Sequence, residues 1–456
     1  MTDILPILLR LSPVLPTTVC RQLHRIVLGT LAMTGRVTQL GVSRWAGKGG
    51  SHRTVQRFFH TPIDWFAVQW RFFELFVHQQ DAIYILAGDE SPISKAGKQT
   101  YGIDWFFSSI HDRVMRGLGF YSIALINVSK RQAYSLSTEQ IVRSAEEKEL
   151  ARQRKEKRKA RSQKPGSKGP KGRPKGSKNK NKAEVILSPE LLRILAQAQK
   201  VLARIGDKIG LVYFVLDAHF GNHFACCMVR QLGLHIISKM HHNAELYLQP
   251  TAAEKADRPR LKYGARMDYA HLPEELRCSS TLEDGYRTQV YQARCLHKHF
   301  AELINVVIIV RTHLETQRVG HVVLFSSDLS LDALKLVDYY ALRFQIEFTF
   351  RDAKQYFGLE DFMGVKETSV ANSVGLSFFM VNLSRHLLDD MRTSYPGAGV
   401  SDLKSYHRGQ YYMSELLKFV PEKSDTIPWE SIIEHVCRLG FIHPKRNNDR
   451  HLERAA

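Results

Sequence analysis

The sequence predicts an α/β fold, with a β-rich insertion and a helical amino-terminal domain ahead of the sheet. Three observations predict it. Apolar residues recur at helical spacing from Val19 through Leu31 and again from Trp65 through Phe76. Short apolar runs of strand length, Ile83 to Leu86 and Leu211 to Leu216, each lead into an aspartate. Between about 241 and 320, alternating apolar and polar segments are separated by turn-like stretches.

A chain of 456 residues is long enough for two or three domains and a large core. Its 65 Lys and Arg against 45 Asp and Glu give a net charge of +20, which points to a polyanionic partner. DNA, RNA and an anionic membrane all qualify. No apolar run approaches the roughly 20 residues of a spanning helix, and the first residues lack a basic leader followed by an apolar block. A soluble, cytoplasmic protein is expected. Six cysteines are scattered without a Cys-x-x-Cys pair, so neither a disulfide nor a structural zinc is expected.

Residues 1–80 read as helical. Gly49 and Gly50 break one helix and Ser51 can cap the next, a short helix carrying His52, Arg53, Gln56 and Arg57. Two readings fit: a helix-turn-helix-like unit that places Arg53 and Arg57 on DNA, or an ordinary small bundle with a basic surface. Asp89 is expected where the strand Ile83 to Leu86 ends, with Ser91, Lys95, Gly97 and Lys98 forming a basic loop close to it. Glu90 should point the other way. In an open α/β sheet, ligands and metals collect beyond such strand ends. Leu118 to Val128 and Arg131 to Thr138 read as a hairpin around Ser129 and Lys130. Three strands before any sheet helix is how a ribonuclease H-like fold begins.

From Arg152 to Lys182 the chain holds 15 Lys or Arg and one acidic residue, Glu156. With almost nothing apolar to bury, the linker at 146–184 should be disordered when free. Around Arg173 and Lys175 it resembles an AT-hook, which enters the minor groove; the plainer reading is a solvated linker for any polyanion. Either supplies salt-sensitive affinity. Ser188 to Ala203 then reads as a helix, and Leu211 to Leu216 as a buried strand ending at Asp217. His219 and His223 stand four apart but lack a His-Glu-x-x-His pattern.

After the strand at His235 to Lys239, the clearest strands of the insertion at 241–320 are Arg287 to Ala293, Ile304 to Val310 and Val322 to Phe325. Arg258, Arg260, Lys262 and Arg266, with Tyr263 and Tyr269, make a basic, aromatic stretch suited to backbone contact and stacking. Leu331 to Phe357 reads as one long helix, capped by Ser330 and ended by Gly358, with Leu334, Val337, Ala341, Phe344 and Phe348 as its buried stripe. At about 100° per residue, Tyr340, Arg343, Glu347 and Lys354 fall within an arc of roughly 60° beside that stripe. Val370 to Leu388 reads as a strongly apolar helix beneath them. The tail at 396–456 has mixed helical character.

Tyr340, Arg343, Glu347 and Lys354 carry the YREK spacing, and here the chain resembles the DDE transposases of bacterial insertion sequences, specifically the insertion sequence four family. The resemblance covers 81–395 and is strongest at 338–360. It implies a ribonuclease H-like catalytic domain in which Asp89, Asp217 and Glu347 are the catalytic and metal-binding triad, holding two Mg²⁺ ions, with Mn²⁺ as a substitute. It also implies that Tyr340, Arg343 and Lys354 grip DNA phosphates, that 241–320 is the family's β-rich insertion, and that 1–80 binds the element ends. Double-stranded DNA, as transposon ends and target, would be the partner of a homodimer associated with the nucleoid, and 396–456 a contact between subunits. The implied activity is cut-and-paste transposition. Two rivals share the same residues: a non-catalytic DNA-binding relative, and a ribonuclease H-like nuclease without strand transfer.

Overall fold

The computed structural model describes residues 3–108, 112–162, 185–419, 427–438 and 441. Its first helices are α1 (Ile4–Leu9), α2 (Thr17–Ala32), α3 (Gln39–Trp45), α4 (His52–His60) and α5 (Trp65–Phe76). Ser51 caps α4 through the Thr54 amide, and Val55, Phe58 and Phe59 turn inward, leaving Arg53 and Arg57 exposed. Then come β1 (Tyr84–Ser94), β2 (Asp104–Ser108), β3 (Arg113–Asn127), β4 (Gln132–Gln140), α6 (Ala145–Ser162), α7 (Pro189–Ile205), β5 (Tyr213–Val215), α8 (His223–Gln231) and β6 (His235–Lys239). The second half holds β7 (Leu246–Tyr247), α9 (Ala252–Asp257), β8 (Arg277–Glu283), β9 (Tyr286–His297), β10 (Ile304–His313), β11 (Val319–Ser326), α10 (Ala333–Leu342), α11 (Gln345–Phe357), α12 (Glu367–Met391), α13 (Val400–Leu416) and α14 (Trp429–Arg438).

One mixed sheet organises the molecule, in the order β2-β3-β1-β5-β6-β11-β10-β9-β7, with β4 also on β3 and β8 also on β9. β1, β5 and β6 run parallel, and the other pairings are antiparallel. The stretch at 241–320 therefore extends the central sheet, since β11 pairs directly with β6. β1 is longer than its apolar run suggests. Asp89 lies inside it, because β3 keeps pairing with β1 as far as Ser94 after the parallel partner β5 has stopped at Ala87 opposite Val215. Ser91 is thus a buried strand residue, and the basic loop is not beside Asp89. Lys95 lies about 20 Å further along the strand, where its Nζ donates to the carbonyls of Glu360 and Phe362.

The helix expected over Leu331 to Phe357 is two. Around Arg343 the bonds shorten to three-residue spacing, Arg343 N–H to Tyr340 O and Ile346 N–H to Arg343 O, which ends α10 and restarts the chain as α11. Asp332, not Ser330, caps α10 by accepting from the amides of Leu334 and Lys335, while Gly358 closes α11 with a left-handed φ of 74°. The buried stripe is also a different one. Leu336, Leu342, Ile346, Phe350 and Phe357 face the sheet and α12, whereas Leu334 and Phe344 are about half exposed at 54% and 49%. Both faces carry apolar residues at helical spacing, and packing against the sheet and α12 selects the Leu336 set.

The linker expected to be disordered from 146 is helical as far as Ser162. Ser144 and Glu147 cap each other reciprocally at the start of α6, and Arg193 on α7 holds the Glu147 carboxylate. Arg173 and Lys175 lie outside the described residues.

The buried core runs without a break from α1 to α13. Asn372 on α12 stitches the amino-terminal helices to the rest: its side-chain amide donates to the carbonyls of Phe58, Phe59 and Thr61, and its oxygen accepts from the Trp65 indole at 2.9 Å. Trp65 packs so closely on Gly375 that a Cβ there would lie 2.1 Å from the indole. At the other end Lys404 on α13 donates to Thr30 O at 2.7 Å and Arg408 to Ala32 O at 3.0 Å, fixing α13 on α2.

Candidate active site

The positions just past the parallel pairing of two adjacent strands supply the first two acidic groups. The parallel pairing of β1 with β5 ends at Ala87 and Val215, and Asp89 and Asp217 each follow two residues later. Ser238 on the next strand, β6, donates to the Asp217 carbonyl at 2.6 Å and sets the backbone there. Gly221 allows the turn beyond Asp217 to press on β6, where a Cβ would lie 2.0 Å from Lys239 O.

The third group arrives on α11. Arg343 Nη1 donates to Asp89 Oδ2 at 3.0 Å, and Nη2 donates to Glu347 Oε1 at 2.7 Å. One guanidinium thus joins an aspartate on the sheet to a glutamate on the helix, and all three side chains are partly shielded from water. Tyr340, one turn earlier, hydrogen-bonds Arg343 and is pushed above the usual phenol range by burial. Lys354 reaches β1 three residues past Asp89, donating to Pro92 O at 3.0 Å, with Glu360 at 3.6 Å. Burial holds its ammonium below the ordinary lysine range.

Negative charge is crowded here. Burial pushes the Asp89 carboxyl up to about 6; Arg343 opposes that rise, and the neighbouring Asp217 and Glu347 add to it. Asp217 Oδ1 is buried with no hydrogen-bond partner. Tyr121 on β3, beneath Gly88, is the support that the sequence reading missed. Its buried hydroxyl has no partner, and a Cβ on Gly88 would lie 2.2 Å from it. Burial, followed by the charges of Asp89 and Asp217, raises its phenol far above normal. The signal available in sequence was the glycine next to the strand carboxylate, which marks a close approach. Glu90, as expected, points to the opposite face, where it lines a cavity of about 220 Å³ with Glu190, Arg143 and Arg193.

Among the described residues no group of three or more Asp, Glu, His or Cys side chains is gathered closely enough to enclose a metal ion. Arg343 stands between Asp89 and Glu347 and supplies the positive charge. The donor set nevertheless suits a hard divalent cation: every acidic group offers oxygen, Asp217 Oδ1 lacks a partner, and the crowded charges need neutralising. His219 is used otherwise, pairing with Glu190 at 3.3 Å.

Arg53 and Arg57 remain on the exposed face of α4. In the basic, aromatic stretch, Tyr269 stacks on His321 at 4.5 Å and Arg266 lies 3.7 Å from Glu245. No helix of the described residues is long and apolar enough to cross a membrane.

A family model described as DDE superfamily endonuclease matches residues 10–296. That span takes in Asp89 and Asp217 and ends before the helix bearing Glu347. A search of curated proteins finds no match to the chain. The family model spans well over half of the chain, which therefore belongs to the DDE superfamily endonucleases, whose substrate is DNA.

Proposed function

We propose that this chain is a cut-and-paste transposase of the insertion sequence four, YREK-signature kind. It binds the terminal repeats of its element, hydrolyses phosphodiester bonds there and joins the freed 3′ ends to target DNA. One observation carries the reading: the Arg of the signature joins its Glu to Asp89, with Arg343 bonded across 254 residues to Asp89 and, four residues on, to Glu347. A structural ion pair needs only two partners. A cation shared by two acidic groups, beside a third with a buried unpaired oxygen, is charge held ready for a divalent metal.

In this reading Asp89, Asp217 and Glu347 would hold Mg²⁺, or Mn²⁺ in its place, which would supply an activated water and neutralise charge on the departing 3′ oxygen. Hydrolysis places the water oxygen on phosphorus and releases a 3′ hydroxyl, itself the nucleophile for joining. Arg343, exchanging its carboxylates for phosphate oxygens, orients the scissile strand with Tyr340 and Lys354. Residues 1–80, with Arg53 and Arg57, and the basic linker with Arg173 and Lys175 supply further DNA affinity. The catalytic unit spans 81–395, and two copies join the two element ends.

Wild-type protein incubated with the DNA flanking its own gene tests this reading. Cutting at the repeat boundaries that requires Mg²⁺ is expected. Binding with no cutting under any divalent metal would argue for an inert DNA-binding relative, and cutting without joining for a plain nuclease.

A further inference from the structure

The edge strand β2 and the first part of β3 form a hairpin that none of the roles above uses. Its outer face is unusually apolar for solvent: Trp105 is 61% exposed, Phe107 58% and Val114 57%. Scattered exposed apolar residues need no explanation, but three on one face of a two-stranded arm do.

The hairpin is built to present that face. Alternate residues point to opposite sides of a strand, and Phe106, between the two exposed rings, is buried against Gly119, where a Cβ would lie 2.3 Å from it. Arg143 lies over the Phe106 ring at 4.5 Å and donates to Trp105 O at 2.9 Å. Gly117 lets β3 cross close over β1, since a Cβ there would sit 1.9 Å from Ile93 O. The inner face is therefore locked and the outer one held outward.

Register fixes which way outward is. Asp89 pairs with Ser122, and in an antiparallel ladder directly opposed residues share a face. Counting along β3 in twos from Ser122 reaches Arg116 and Val114, which pair with Trp105 and Phe107. The exposed rings and Arg116 thus belong to the sheet face that carries Asp89. They lie roughly 20 to 26 Å beyond it, in the direction in which β1 leaves the carboxylates.

We propose that the β2–β3 hairpin is a DNA-binding arm, with Trp105 and Phe107 stacking on unpaired bases of the strand that lies along the carboxylate edge and Arg116 meeting its backbone. The proposal rests on DNA being the substrate at this edge. A duplex hides its base faces, so rings read only frayed or single-stranded positions, and such stacking is sequence-tolerant. The chain's net charge of +20 and the arginines at 113 and 116 favour nucleic acid over a protein partner.

The test uses the full chain carrying Glu347→Gln in EDTA, so that no cutting intervenes. Two fluorescent probes are a blunt 30-base-pair duplex and the same duplex with a five-nucleotide thymidine tail. The tail should tighten binding, and Trp105→Ala with Phe107→Ala should remove that gain, a loss of about fivefold to hundredfold for each base that no longer stacks, with blunt-duplex affinity unchanged. Trp105→Phe with Phe107→Tyr, which keeps both rings, should retain the gain and controls for folding. An equal response to the tail in the alanine variant would overturn the proposal. So would a change in sedimentation with the tail preference intact, which would make this face a contact between copies of the chain. Cutting by the wild-type protein is measured separately in Mg²⁺, so failure of the transposase reading is not confused with failure of the arm.

Discussion

Arg343 and Asp89 are joined at 3.0 Å, with the same guanidinium also holding Glu347 at 2.7 Å, so in the absence of metal a single cation offsets two acidic groups. Arg343→Met removes that cation and leaves Asp89, Asp217 and Glu347 facing one another. The metal-free protein should lose about 3 kcal/mol at pH 8, and added Mg²⁺ should narrow the gap by taking over the neutralisation. Thermal melts of both proteins with EDTA and with Mg²⁺ check this. A gap that ignores the metal would mean that the guanidinium does not stand in for one.

Asp89 also gives the metal-free fold a pH dependence. Its carboxyl holds a proton up to about 6 in the folded state but loses it near 4 when unfolded, so the fold binds the extra proton between those values. Stability from this group is full below pH 4 and is lost as the pH rises through about 6, roughly 3 kcal/mol in all. Asp89→Asn, permanently neutral, should therefore be more stable than the wild type at pH 8 and keep only about a third of that advantage at pH 4.5. Equal differences at the two pH values would contradict the burial argument.

The sequence placed Asp89 and Asp217 beyond apolar runs, and both follow the end of the parallel pairing of β1 with β5 by two residues. The helical spacing also placed Tyr340, Arg343 and Glu347 together, and Arg343 does bond both Tyr340 and Glu347. The sequence hid the kink at Arg343, where nothing in composition distinguishes three-residue from four-residue bonding. Two apolar stripes compete on that helix, and only packing against the sheet chooses Leu336, Leu342 and Ile346 over Leu334 and Phe344. The reach of β1 to Ser94 was hidden for the same kind of reason: Asp89 and Glu90 interrupt the apolar run, and the strand persists because β3 pairs with it. Helix α6 depends on the Ser144–Glu147 cap and on Arg193, contacts that composition cannot show.

Asn372 and Gly375 hold the amino-terminal helices on α12. Asn372→Ala leaves the carbonyls of Phe58, Phe59 and Thr61 short of their donor, which should cost about 3 kcal/mol. Gly375→Ala should cost a further amount on the order of 1–3 kcal/mol by driving a methyl into Trp65. Urea unfolding followed by Trp fluorescence measures both, and unchanged midpoints would show that the helices are held some other way.

Arg53 and Arg57 on α4 face solvent. If they lie on phosphates, replacing both with alanine should weaken binding similarly across DNA sequences and lower the slope of log affinity against log salt by about 2. A titration from 50 to 200 mM salt reads the slope, and an unaltered slope would return α4 to the status of an ordinary basic surface.

The most direct measurement compares wild type with Glu347→Gln on the terminal DNA of the gene, reading binding on native gels and cleavage on denaturing ones. The substitution keeps the side chain's size and removes its charge. Both proteins should shift the DNA while cleavage falls about a hundredfold to a thousandfold in the variant, as expected when a transition-state charge interaction is removed. Cleavage retained by Glu347→Gln would contradict the assignment of Asp89, Asp217 and Glu347 as one metal-binding set.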